Sequence, residues 1–283
     1  MERYYHIARL RFRLTGREEE LYQDDRALSP FRTESSQWDL SVQMEIVEDL
    51  SSPEGEMVFS DGGRVMYRNG QSQFSYNGDR PETASMRILR RGNETLAQVK
   101  RSSIPDRIVS KFALTAMELE HRIVEGRGFL LHASYVRHGD GAILFTAPSG
   151  TGKSTQAELW CRLRDAELIN GDRVAVMQTG DGFLACGVPY SGSSRVSKNV
   201  TLPVKAIVYL SQAKNTTIQP LRGVRAFRHV WEGCCLHVWN REDVERCTQT
   251  VSNAVQHVPV FHLACTPDES AVRALEDAMK QTR

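Results

Sequence analysis

The sequence predicts a mixed α/β protein in which a β-rich N-terminal region precedes a domain built around a phosphate-binding loop. Three observations predict it. Residues 147–155 read Ala-Pro-Ser-Gly-Thr-Gly-Lys-Ser-Thr, a G-x-x-x-x-G-K-[ST] loop with Ala147 at the first glycine position. The apolar run Gly141-Ala-Ile-Leu-Phe-Thr146 reads as a buried strand before the loop, and Ala157, Trp160 and Leu163 mark a helix after it. Before residue 100, short strand-like runs alternate with hairpin turn signals.

In chain order, residues 4–14 alternate in part, and 40–46, 57–60, 64–68 and 73–77 suit short strands. Asp61-Gly62-Gly63, Asn69-Gly70 and Asn77-Gly78 punctuate them as turns. The polar stretch 15–37 reads as a mobile loop. A helix is expected over 105–124, with Ser103 and Asp106 at its cap, Pro105 in its first turn, and Ile108, Phe112, Leu119 and Ile123 on one face. This sets the domain boundary at 102/103: residues 1–102 form the β-rich region and 103–283 the phosphate-loop domain.

The run 128–136 reads as a strand, and the turn His138-Gly-Asp-Gly141 joins it to the next. So short a connection makes the pair antiparallel, unlike neighbouring strands of a purely parallel α/β fold. Residues 166–177 read as strand, turn, strand, and further strands are expected at 182–186 and 204–210. Asn240 opens a helix carrying Val244, Cys247, Val251 and Val255. Thr266-Pro267-Asp268-Glu269 is a capping box for a last helix striped by Ala271, Val272, Leu275, Ala278 and Met279.

Composition narrows the function. The 283 residues are 40% hydrophobic, enough for a sizeable core. A formal net charge of +1 offers no electrostatic drive toward nucleic acid or membrane. No apolar run approaches the length of a membrane span, and the first residues lack a signal-peptide core, so a cytoplasmic location is expected. The six cysteines, Cys161, Cys186, Cys234, Cys235, Cys247 and Cys265, form no C-x-x-C pair and read as reduced thiols.

The candidate chemistry starts at the loop. Gly150 and Gly152 let backbone N–H groups turn inward around phosphate oxygens, with Ser149, Thr151 and Thr155 completing the cradle. Lys153 reaches the terminal phosphates, and the Ser154 hydroxyl can ligate Mg²⁺. A second acidic group is needed for transfer. Asp172, 19 residues after Lys153 and just past Leu168-Ile169, is the best placed. It can accept a hydroxyl proton, ligate Mg²⁺, or do both. His132, in the strand before the loop strand, can reach the same place across an antiparallel pair. Arg173 and Arg195 are further cations nearby in sequence.

Together, Leu131-His132-Ala133, Ser149-Gly-Thr-Gly-Lys-Ser154, Asn170-Gly-Asp-Arg173 and Val188-Pro-Tyr-Ser-Gly-Ser-Ser194 resemble the catalytic domain of HPr kinase/phosphorylase and its kinase-like relatives, over about residues 125–270. The resemblance implies a phosphoenolpyruvate-carboxykinase-like fold and a serine kinase using ATP and Mg²⁺. It implies Asp172 as catalytic base, His132 as its support, and Lys153 and Ser154 as phosphate and metal ligands. Two departures stand out. Gly171 replaces the first of the family's paired aspartates, and the E-x-R-G-L-G signature is absent, with Pro189-Tyr-Ser-Gly-Ser-Ser-Arg195 in that region. The chain looks more like the kinases of modified-peptide biosynthesis, including lasso-peptide serine kinases, whose acceptor is a precursor-peptide serine. That implies a peptide partner, with the β-rich region free to recognise it and a homo-oligomer left open. A small-molecule kinase acting on free serine, and a nucleotide-binding regulatory protein with little turnover, are the alternatives.

Overall fold

The computed structural model describes residues 1–17, 27–104 and 110–281. It divides into two compact units, Met1–Leu119 and Glu120–Arg283. Both are mixed in character, with two large sheets and few helices.

The first unit holds β1 (Glu2–Ile7), β2 (Leu10–Thr15), β3 (Arg32–Thr33), β4 (Leu40–Val47), β5 (Glu56–Ser60), β6 (Arg64–Asn69), β7 (Ser72–Asn77), β8 (Met86–Arg91) and β9 (Glu94–Lys100). They form one sheet in the order β3-β1-β2-β4-β9-β8-β7-β6-β5. The run 4–14 is not one element but the β1–β2 hairpin. Ala8 and Arg9 make its turn at φ 49° and 71°, left-handed positions that the sequence does not flag with Gly or Asn. The Asp61 turn is held by its carboxylate, which accepts the N–H groups of Gly63 and Arg64. Strands β8 and β9 escape sequence reading because charged residues interrupt their pattern. Buried Arg87 explains the first: its Nε donates to the Tyr76 hydroxyl at 3.0 Å, and its guanidinium lies over the Phe74 ring.

Part of the stretch 15–37 and the expected helix start, with Pro105, Asp106 and Ile108, lie outside the described residues. The described part is two helices, Ser110–Met117 and Leu119–Glu125, rather than one through 124. Glu118 breaks the run with φ 45°, and its buried carboxylate meets Arg90 at 3.0 Å.

The second unit holds β10 (Gly128–His138), β11 (Gly141–Thr146), β12 (Glu167–Asn170), β13 (Arg173–Thr179), β14 (Gly182–Gly187), β15 (Thr201–Gln212), β16 (Thr217–Leu221), β17 (Cys234–Cys235) and β18 (Val260–Cys265). The antiparallel β10–β11 pair is present as expected. Strands β11, β15 and β18 lie parallel. Long strands β10 and β15 are shared: the first half of β10 pairs with β13 and its second half with β11, while β15 passes from β14 to β11 and β18.

The apolar run of β11 follows from cover on both faces. Ala142 and Leu144 join a core with Ala226, Val230, Val251 and Ala254 from helices Gly223–Trp231 and Arg241–His257. Ile143 and Phe145 face a second core with Trp160, Val272 and Leu275 from helices Lys153–Arg164 and Glu269–Gln281. The last helix starts at Glu269, not at Pro267. Its cap is Asp268, whose carboxylate accepts the Ser270 N–H at 2.8 Å, while Thr266 only supports Asp268. Asn240 does cap its helix, accepting from the Glu242 N–H. No described helix is long and apolar enough to cross a membrane.

Candidate functional site

The site forms where β10 changes partners. His132 is the last residue paired with β13, opposite Arg173, and Ala133 is the first paired with β11, opposite Thr146. At this point β12 and β13 are interrupted by Gly171 and Asp172. The backbone locks the junction. Ala133 N–H donates to the Asp172 carbonyl at 3.0 Å, and His132 N–H donates to the Gly233 carbonyl at 2.8 Å. The Thr146 hydroxyl donates to the His132 carbonyl at 3.0 Å. Thr146 is the residue before the glycine-rich loop, so the loop, His132 and Asp172 converge.

Asn170 builds the turn that carries Asp172. It is fully buried, and its side-chain Oδ1 accepts the N–H groups of Asp172 and Arg173 at 2.8 and 3.0 Å. Its Nδ2 donates to the Val188 carbonyl at 2.8 Å. Three bonds from one buried amide fix where the Asp172 side chain leaves the backbone. The carboxylate is part-exposed. It stands 3.7 Å from His132 Nε2 and 3.5 Å from Arg173 Nε. Arg173 is itself held, pairing with Glu120 at 3.1 Å and stacking on the Tyr190 ring at 4.4 Å. These anchors make it a structural neighbour of the carboxylate rather than a mobile cation. Arg195 stands exposed in a left-handed conformation.

The loop has the geometry its glycines suggest. Gly150 and Gly152 take φ 78° and 120°, with open space where a side chain would project. Helix Lys153–Arg164 begins without a side-chain cap, which leaves its first N–H groups for an incoming acceptor. Ser149, Ser154 and Thr155 are exposed there, and Thr151 is half-buried. Lys153 is buried, its Nζ donating to the Ala147 carbonyl at 2.9 Å and the Pro148 carbonyl at 3.3 Å. Burial lowers the Lys153 pKa from its ordinary value, while the charge of Asp172 opposes the fall. Burial also lowers the His132 pKa and Lys153 repels its protonated form, while the charge of Asp172 opposes the fall.

The donor set suits a hard cation. A hydroxyl such as that of Ser154 and a part-exposed carboxylate such as that of Asp172 are oxygen donors of the kind Mg²⁺ takes, with waters and phosphate oxygens for the rest. No cluster of three or more His, Cys, Asp or Glu side chains able to hold a metal occurs among the described residues.

Sequence reasoning missed Glu120, and it marked Tyr190, Gly192 and Ser194 only as part of the 188–194 run, without the contacts they make. Glu120 and Tyr190 anchor Arg173, and no local pattern marks Glu120. Gly192, at φ 53°, lies against Asp172: a Cβ there would fall 2.9 Å from the Asp172 Cβ. Gly171 has a steric reason to lack a side chain, since a Cβ would meet Ser194 Oγ at 2.3 Å. Ser194, bonded to the Ser191 carbonyl at 2.7 Å, fills the space beside a single carboxylate.

No family model matches the chain, and no curated protein matches it. Among solved structures, it is similar to the Hpr(Ser) kinase/phosphatase from Coxiella burnetii at 13% identity and a TM-score of 0.31, over 54% of this chain and 93% of that one. A likeness that slight adds no argument to the geometry above.

Proposed function

We propose that the second unit is a phosphotransferase that moves the γ-phosphoryl group of ATP to an acceptor hydroxyl. The convergence of the loop, Asp172 and His132 at the β10 partner switch carries this reading. The loop N–H groups and Lys153 would hold the β- and γ-phosphates, and Ser154 and Asp172 would hold Mg²⁺, which would supply charge neutralisation on the phosphate oxygens. Asp172 orients the acceptor hydroxyl and takes its proton. The bond from the γ-phosphorus to the β–γ bridging oxygen breaks as the bond to the acceptor oxygen forms, giving ADP and a phosphate ester. His132 supports the Asp172 carboxylate from the neighbouring strand, with its Nε2 3.7 Å away.

The acceptor we favour is a peptide serine, as the resemblance to modified-peptide kinases implies, with the first unit recognising the peptide. The test is mass spectrometry of the full chain with Mg·ATP and a panel of terminal-serine peptides, internal-serine peptides, free serine and HPr, beside Lys153→Ala. One added phosphoryl group on a peptide, absent with Lys153→Ala, is the expected result. Transfer to free serine alone would make it a metabolite kinase. ATP binding without transfer to any acceptor would favour the regulatory reading.

A further inference from the structure

A cavity of about 450 Å³ lies where β10 begins and β13 ends. Its polar wall is Glu125, Arg127, Gln178, Arg246, Gln249 and Asn253, none of them a residue of the site above. Its size is that of a small-molecule pocket. Arg246, Gln249 and Asn253 share one face of helix Arg241–His257. Gln249 Nε2 donates to Asn253 Oδ1 at 3.2 Å, and Asn253 Nδ2 donates to Gln178 Oε1 at 3.5 Å. These bonds order the amides and leave the Gln178 Nε2 hydrogens for a ligand. Arg246 is paired with Glu242 on its own helix.

Arg127 is the unusual member of this wall. It takes φ 60° just past helix Leu119–Glu125, a position where glycine is the usual residue. Its N–H donates to the Val124 carbonyl at 3.1 Å, and its carbonyl accepts the Gln178 N–H at 2.9 Å, so the turn is fixed. The glycines on either side answer to packing instead. A Cβ on Gly126 would meet Met177 Cε at 3.2 Å, and one on Gly128 would meet Met177 Sδ at 2.5 Å. An arginine therefore holds a strained left-handed position. Arg127 is exposed at the cavity, and its guanidinium has no hydrogen bond or ion pair among the described residues. Folding alone gains nothing from a charged side chain there, whereas a ligand would.

We propose that this cavity binds a free α-amino acid, its carboxylate on the Arg127 guanidinium and the Gln178 amide and its ammonium on Glu125. A guanidinium fork and an amide N–H suit a planar carboxylate. Glu125 lines the same cavity with its side chain 40% exposed. Burial would raise its pKa, but His121 and Arg122 bring it to about 2, so it is charged at neutral pH. A lone oxyanion such as phosphate would be repelled by that charge, and a zwitterion is matched at both ends. The rest of the volume takes the amino-acid side chain. This site stands independently of the phosphotransferase reading.

Calorimetry on the full chain tests it, with each proteinogenic L-amino acid, inorganic phosphate, and the N-acetyl and amide forms of the tightest amino acid. At least one amino acid should give a saturable heat. Each blocked form should bind at least about tenfold more weakly, the worth of one charge-assisted hydrogen bond. Arg127→Gly removes the guanidinium and suits the left-handed turn. It should weaken the amino acid at least about tenfold, while its Tm stays at or above that of the parent. No amino acid binding to the parent, or a blocked form or phosphate binding as tightly as the best amino acid, would overturn the proposal. So would full affinity in Arg127→Gly, which would seat the amino acid elsewhere, the acceptor place beside Asp172 included.

Discussion

Among the described residues the two units each carry nine strands but use them differently. In the first, successive strands β5 to β9 run as antiparallel ladders that keep their partners throughout, with one irregularity between Met57 and Phe59, closed by tight turns such as Asp61-Gly62-Gly63. Its buried Arg87 is absorbed by Tyr76 and Phe74. In the second, the ladder is broken where β10 changes partners, and the break leaves Asp172 with a part-exposed carboxylate. A continuous ladder spends its polar groups on itself. An interrupted one frees side chains for chemistry, provided something like Asn170 holds the loose ends.

The largest expected effect is at that break. Asp172→Asn keeps shape and hydrogen-bond capacity but cannot take a proton. Turnover should fall by about 10²–10⁴, the usual share of a general base, while the Kd for Mg·ATP stays within about tenfold. Steady-state kinetics and calorimetry on the same preparation check this, and unchanged turnover would remove Asp172 from the base role.

Core truncations separate the units next. Trp160, fully buried in the helix that follows the loop, and Phe74, 1% exposed in the first sheet, should each cost about 3–5 kcal/mol as alanine variants in denaturant melts. Only Trp160→Ala should also weaken Mg·ATP binding, because Trp160 packs the helix that presents the loop. Equal loss of nucleotide affinity in Phe74→Ala would show that the comparison between units is wrong.

Asn170→Ala sharpens the claim about the break itself. It deletes three buried hydrogen bonds and frees the Asp172 turn. We expect a tenfold to hundredfold fall in kcat, on the order of 1–3 kcal/mol, with nucleotide Kd nearly unchanged. Asn170→Asp, which keeps both accepted bonds, should recover part of the loss. In an Asp172→Asn background the Asn170 change should add little, since residues acting through one group are not additive.

Much of this was legible in the sequence, for reasons that differ by residue. The strand before the loop and the helix after it are written locally, so 141–146 and 153–164 read correctly. Asp172 and His132 could be suspected because a short turn forces β10 and β11 side by side. Their meeting depends on the partner switch of β10, which no local pattern encodes. Glu120, Tyr190 and Gly192 reach the site only through tertiary packing. The β1–β2 turn at Ala8 and Arg9 carries no turn residue, and Arg87 disguises β8.

The smallest effect concerns the part of the second unit that is stabilised by charge without sharing in the site. Glu125 lies 3.4 Å from His121 Nε2 and 3.0 Å from Arg122 Nη1, and His121 is held on its other side by buried Asp243 at 2.9 Å. Burial alone would raise the Glu125 pKa, but His121 and Arg122 more than reverse it and bring it from 4.5 to about 2. A depressed carboxylate stabilises the fold fully above its unfolded value and loses that contribution as pH falls through the folded one. Here the window runs from 4.5 down to about 2. The Glu125 side chain is 40% exposed, so solvent screening reduces the contribution to about 1 kcal/mol. Glu125→Gln should therefore be about 1 kcal/mol less stable than the parent near neutral pH, and urea melts should show the gap closing as the pH is lowered through that window. A gap that does not change with pH would assign the loss to packing instead of charge. Nucleotide affinity should not move in this variant, because Glu125 contacts none of the loop, Asp172 or His132; a parallel fall in Mg·ATP binding would mean that the charge network of this helix and the ladder break are one device, not two.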